Sequence, residues 1–357
     1  MSKLRIGIIG AGSRGLGSFA KGFLEHHRDS VEIVAVADTN PVRARNGLNW
    51  FGLSADIHTD AEELTARDDV DACVVASTDC MHEEHALAAL KHKKHVFIDK
   101  PLATTVDGCM KIIGAAKDSD KILYMGFNLR HDIVVRRMKS LITEGAFGKV
   151  FSIQAIEHYS GGRSYHSRWN RLKKYSGGLF IHKGSHDFDV INHLMGAVRP
   201  VRVSCFANVF ALNRAGIPFE LRPGVEPGPT CHKCAYKDIC PDGHMKEPEK
   251  DSLAWQLFND ETAEVDGYYR NVCMYTSEKD THDQGIAIVE YENGATASHC
   301  EYFATPISNR RYMIEGIRGH GEADIHANYV KLYPRWTKDC IEHNLNRGIG
   351  GHGGADP

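Results

Sequence analysis

The chain has no apolar run approaching the length of a membrane span. No basic-then-apolar leader stands before its first strand-like run, so a cytoplasmic protein with no membrane partner is expected. A strong charge of either sign is also missing. Against 46 Asp and Glu stand 43 Lys and Arg, a net charge of −3 over 357 residues. The basic residues are dispersed, and the small group at 91–95 reads as a solvated helix end, so no nucleic-acid partner is expected. The 10 cysteines are then read as thiols or metal ligands rather than as a disulfide framework. What remains is an ordinary globular composition, 42% hydrophobic and 25% charged, at a length that points to two domains.

The stretch Arg5-Ile-Gly-Ile-Ile-Gly-Ala-Gly-Ser-Arg-Gly15 organises the first of them. Ile6, Ile8 and Ile9 form a β-branched run, the mark of a buried parallel strand, and the run ends in Gly10, Gly12 and Gly15 at the spacing G-x-G-x-x-G. Gly10 would permit a tight turn, Gly12 would let the backbone approach a pyrophosphate, and Gly15 would let the next helix pack on the strand. The phosphates would then sit on the helix N-terminus, beside Ser13 and Arg14. A second strand, 31–37, ends in Asp38, a carboxylate placed to accept from an adenosine ribose. Arg43 could reach a 2′-phosphate, but Asp38 would repel that phosphate, so NAD is expected rather than NADP. Strand 71–77 closes a βαβ unit and delivers Ser77, Thr78 and His82 to the edge where open α/β sheets bind ligands. Strand 96–98 delivers Asp99-Lys100-Pro101 to the same edge.

This ordered set, from the glycine loop through Ser77-Thr78 with His82 to Asp99-Lys100-Pro101, resembles the Gfo/Idh/MocA family of sugar and polyol oxidoreductases. Asp99 stands where most members carry Glu. The resemblance implies a Rossmann dinucleotide-binding domain over 1–127. It further implies an α+β domain over 128–357 with a large, open, mostly antiparallel sheet, often the surface of a homodimer or homotetramer. It also implies that Lys100 sits beside the nicotinamide and binds the reacting hydroxyl. An ammonium there would stabilise a developing alkoxide and lower the pKa of a neighbouring donor. Asn128 falls in the family's junction segment. The run 176–189 matches Gly-Gly…Asp-x-Gly-x-His-x-x-Asp, which puts His186 at the family's catalytic histidine, Asp189 at its final aspartate, and His182 at its first aspartate.

If the segment enters a helix there, His182 lies one turn before His186 and faces the same site, able to orient substrate or share the proton. Alternatively, His182 and His186 at H-x-x-x-H could hold a metal with Glu157 or His158, although a metal beside Lys100 would be an electrostatic conflict. His158 and Tyr159 end a strand. Arg168 and Trp169 lie in a run of aromatics with Arg and Asn that suits a carbohydrate, and equally suits a loop pinned by a buried Trp. Asp187 and Asp189 read as carboxylates at a helix N-terminus.

Residues 212–250 read as an inserted loop, rich in Pro, Gly and charge. Cys231, Cys234 and Cys240 form C-x₂-C-x₅-C, and Cys273 returns after a helical stretch at 251–266. A structural zinc is one reading, with Cys273, His232 or His244 as fourth ligand. An iron–sulfur cluster, unligated thiols or a disulfide are others. The end, 348–357, suggests a chain cut short of its longer relatives. Its Gly-His-Gly-Gly with His352 is similar to a segment of NAD-dependent glycosidases in the same superfamily, or is a solvated tail. The expectation is an NAD-dependent oxidoreductase acting on a secondary hydroxyl of a sugar, glycoside or cyclitol. The rivals are a redox-cycling glycoside hydrolase and a noncatalytic NAD-binding sensor.

Overall fold

The structure is a computed structural model that describes residues 2–196, 198–243 and 249–345. His244, His352 and the glycine-rich end lie outside the described residues. The chain forms two compact units. The first comprises Met1–Gly126, Ser167–Gly177 and Gly224–Cys273, and the second Phe127–His166, Gly178–Pro223 and Met274–Pro357.

In the first unit six parallel strands run in the order β3-β2-β1-β4-β5-β6. They are β1 (Leu4–Ile9), β2 (Val31–Ala37), β3 (Asp56–His58), β4 (Ala72–Val75), β5 (His95–Ile98) and β6 (Leu123–Met125). The strands are apolar on both faces because helices cover both. One face packs Leu64, Leu90 and Ile112, the other Leu16, Leu48 and Leu257. The order reverses beside β1, where it neighbours both β2 and β4, and this switch point opens a crevice at the strands' carboxyl ends. The helix Pro41–Phe51 starts on Asn40, whose side chain accepts the Arg43 N–H, with Pro at N1 and left-handed Gly52 at its end.

Two short helices, Leu253–Leu257 and Asp260–Asp266, pack on Pro41–Phe51, where the sequence suggested one stretch. They separate at Phe258 because Asn259 takes an extended backbone and caps the second helix, its side chain accepting from Thr262 N at 3.0 Å.

The second unit holds an eight-stranded sheet in the order β14-β13-β12-β11-β7-β10-β9-β8. Its strands are β7 (Val150–His158), β8 (Pro200–Asn208), β9 (Gln284–Tyr291), β10 (Thr296–Tyr302), β11 (Asn309–Gly316), β12 (Gly319–Asp324), β13 (Tyr329–Pro334) and β14 (Ile341–Asn344). All pairs are antiparallel except β10 with β7. Helices Ile133–Thr143 and Ser185–Met195 contribute Val134, Met138, Val190 and Leu194 to a core shared with Ile153, Tyr312 and Ile314 of the sheet. The fold is thus a Rossmann parallel sheet followed by an α/β unit with a mostly antiparallel sheet.

Candidate active site

The glycine loop of the first unit has the geometry its spacing implies. Gly10 sits at φ +104°, and a Cβ there would lie 2.6 Å from the Ala76 carbonyl oxygen. A Cβ on Gly15 would meet the Gly10 carbonyl oxygen at 1.8 Å, so neither position accepts a side chain. A Cβ on Gly12 would meet nothing within 4 Å, which leaves the backbone open to a close-approaching group. Asp38 Oδ2 accepts Ala11 N–H at 2.8 Å, and Oδ1 accepts Asn40 N–H at 2.8 Å and Arg43 Nη1 at 3.1 Å. Of roughly four lone-pair directions on a carboxylate, three are thus taken, and one is left for a hydroxyl. The loop and this carboxylate fit a dinucleotide.

Lys100 lies between two anchored neighbours. Before it, Asp99 accepts Arg14 Nε at 2.9 Å and Nη2 at 3.4 Å, while the Arg14 guanidinium covers the Phe19 ring at 4.8 Å. After it, the Pro101 carbonyl takes His82 Nδ1–H at 2.6 Å. His82 is buried and its Nε2 lies 3.2 Å from the Ser77 carbonyl, so this ring ties the ends of β4 and β5 together. Ser77 Oγ meets His85 Nδ1 at 2.8 Å, and Thr78 leads into the one-turn helix Asp79–Met81. Burial, with the charge of His82, pushes His85 down to about 4. Arg168 and Trp169 belong to this unit, next to the turn Trp169–Arg171. Burial, then the Arg168 charge, pushes Arg270 down to about 10.

The second unit carries the histidines. His186 is buried on Ser185–Met195 with its ring edge-on to Phe127 at 6.0 Å. One turn on, Asp189 accepts Arg130 Nε and Nη2, both at 2.6 Å. Asn128 opens the turn Asn128–His131 that supplies Arg130. His182 ends a separate helical turn, Leu179–His182, and packs edge-on to Tyr165 at 5.3 Å. The expected single helix carrying both histidines is therefore corrected. Lys183 closes the first turn and Gly184 caps the next helix. Gly184 must be bare because a Cβ there would lie 2.9 Å from Glu301 Oε2.

The sequence reading missed the charge network beneath these residues. Glu157 pairs with Lys183 Nζ at 3.2 Å and Arg310 Nη2 at 2.6 Å, and Arg310 Nε pairs with Asp187 Oδ1 at 3.0 Å. Tyr312 Oη donates to Asp187 at 2.7 Å, and Lys183 Nζ lies 4.4 Å over the Tyr159 ring. Burial works to raise Glu157, but Arg310 and Lys183 hold it well below the usual carboxylate range. His158 stacks on Tyr302 at 5.2 Å.

Among the described residues no group of three His, Cys, Asp or Glu is arranged to hold a metal ion. Neither metal reading finds support among the described residues. Glu157 is spent on two cations rather than on His182 and His186. Cys231, Cys234, Cys240 and Cys273 lie in a segment held by other means: Cys234 Sγ accepts the N–H groups of Gly228 and Tyr236 at 3.3 and 3.4 Å, and buried Tyr236 donates to the Val225 carbonyl at 2.9 Å.

Residues 4–127 match the family model described as an oxidoreductase family with an NAD-binding Rossmann fold, and residues 139–215 match its C-terminal alpha/beta domain. The chain belongs to the Gfo/Idh/MocA oxidoreductase family. It is 29% identical over 98% of its length to YteT of Bacillus subtilis (strain 168), which carries only a provisional oxidoreductase name, and it covers 86% of that protein. It is 37% identical to the inositol 2-dehydrogenase/D-chiro-inositol 3-dehydrogenase of Halalkalibacterium halodurans. That match spans 45% of this chain and about half (47%) of the dehydrogenase. Among solved structures, levoglucosan dehydrogenase in complex with NADH superposes at a TM-score of 0.70 with 18% identity, over 99% of this chain and 83% of the other. The WlbA dehydrogenase from Bordetella pertussis gives 0.68 and 18%, over 94% and 78%. At these identities the two structures speak to the fold.

Proposed function

We propose that this protein is an NAD-dependent dehydrogenase of a secondary hydroxyl on a sugar, glycoside or cyclitol. The observation that carries the reading is Lys100, fixed from both sides at the edge that also holds the open Gly12 backbone and Asp38. The name of the inositol dehydrogenase relative and the bound NADH of the structural neighbours support it. NAD, when bound, would supply a hydride acceptor. The Lys100 ammonium binds the substrate oxygen and stabilises negative charge on it. His186 exchanges the hydroxyl proton, and its imidazole suits transfer in both directions. His182, Asn128, His158, Tyr159, Arg168, Trp169 and Asp189 are proposed to shape the substrate side.

The test incubates the protein with NAD⁺ and a panel of inositols, free sugars and aryl glycosides, following NADH and aglycone together. NADH accumulating with a keto product, and lost in Lys100→Met while NAD⁺ still binds, supports the dehydrogenase. Aglycone release without net NADH would replace it with the redox-cycling hydrolase. NAD⁺ binding with neither signal would favour the sensor.

No helix among the described residues is long and apolar enough to cross a membrane. A cytoplasmic location is proposed. A homo-oligomer is proposed through the sheet of the second unit, where Val203, Phe206 and Ile288 are exposed on β8 and β9.

A further inference from the structure

Arg43 stands one turn into the helix that follows Asp38, where an arginine can serve a 2′-phosphate in a dinucleotide fold. Here each nitrogen of its guanidinium is engaged. Nη1 bonds Asp38 Oδ1 at 3.1 Å, Nη2 bonds Asp266 Oδ2, and Nε donates to the Leu257 carbonyl at 3.2 Å. Its face lies 5.5 Å from the Phe258 ring, and the side chain is buried. Asp266 is itself fixed, accepting Asn40 Nδ2 at 3.0 Å, while the same amide nitrogen donates to the Thr262 carbonyl at 2.7 Å. Two carboxylates therefore grip one cation from opposite sides. Removing either leaves the other in place.

We propose that Asp266 is a specificity-determining residue that acts with Asp38 to hold Arg43 away from a 2′-phosphate, so that the nucleotide site selects NAD over NADP. This rests on the dinucleotide-binding reading. An incoming 2′-phosphate brings close to two negative charges. It meets the Asp38 carboxylate, and the Arg43 cation beside it is already neutralised. Asp38 alone accounts for repulsion; Asp266 accounts for why losing Asp38 does not release the arginine.

The test is calorimetric titration of the intact chain with NAD⁺ and with NADP⁺, comparing the parent, Asp38→Ser, Asp266→Ala and the double variant. Asp38→Ser alone is expected to relieve the repulsion and raise NADP⁺ affinity only part of the way, because Asp266 still holds Arg43. The double variant should gain a further tenfold or so, the scale of one charge-assisted bond to phosphate. Asp266→Asn keeps the side-chain shape and serves in place of Ala if that variant fails to fold, with the same gain expected. An Asp38→Ser protein as good with NADP⁺ as the double variant overturns the role of Asp266. A parent that binds neither nucleotide overturns the dinucleotide reading itself, and its own NAD⁺ titration identifies that case.

Discussion

Arg14 and Asp99, 85 residues apart in sequence, are joined by two hydrogen bonds of 2.9 and 3.4 Å. The pair links the glycine loop to the residue preceding Lys100. The chain just before Lys100 is thereby tied to the glycine loop.

Loss of this pair should reach turnover through Lys100. Asp99→Ala is expected to lower kcat by about tenfold, equivalent to about 1.4 kcal/mol in the barrier. Asp99→Glu should restore most of it, since a longer carboxylate can still take the Arg14 fork. Steady-state kinetics with the substrate found above, alongside NAD⁺ titration, read the two effects separately. Full turnover in Asp99→Ala would remove the positioning role.

Glu157 joins two buried cations, so its removal should be felt as stability. Glu157→Gln takes away the carboxylate that Lys183 and Arg310 share and leaves Arg310 its bond to Asp187, and a loss of about 3–5 kcal/mol is expected in urea unfolding. The double change Glu157→Gln with Lys183→Met should cost less than the sum of the singles. A single Glu157→Gln loss below about 1 kcal/mol, within the range of exposed pairs, would show that the network carries little.

Stability should fall as pH falls from neutrality. Burial holds His85 and His166 at about 4 in the folded chain, against 6.5 for the unperturbed ring. Between those values the unfolded chain binds the extra protons, so each ring contributes stability above 6.5 that is lost as pH drops toward 4. The full contribution is about 3 kcal/mol per ring. Melting midpoints from pH 7.5 to 4.5 should decline steeply, and His85→Gln or His166→Gln should flatten the decline. An unchanged slope in both variants would contradict the assignment.

Much of this was legible in the chain because its signals are local. The β-branched run into Gly10, Gly12 and Gly15 reads directly as strand and turn, and β2 (Val31–Ala37) spans the residues its composition marks. Lys100 stands just past the end of β5, where the sequence placed it. The Arg43–Asp266 pair was not legible, since 223 residues separate its members. The i,i+4 spacing of His182 and His186 suggested one helix, but the first turn ends at Lys183 and a second helix begins at Ser185. Spacing also suggested a metal at Cys231 and Cys234, but no group of three ligand-type residues is arranged for one among the described residues. β8 is exposed along its whole length and so lacks the burial alternation that marks a strand.

The packing of Leu253 and Leu257 against Leu16, Gly47 and Leu48 also sets the order in which this molecule is completed during synthesis. The nucleotide unit begins with the first strand, but its surface is closed by residues made only after β7 and β8 of the second unit. Until then, the apolar flank around Leu16 and Leu48 faces water, and Arg43 has Asp38 but not Asp266. A nascent chain stopped at residue 126 would therefore be a sticky intermediate with an unfinished adenosine pocket, and a natural client for a holding chaperone.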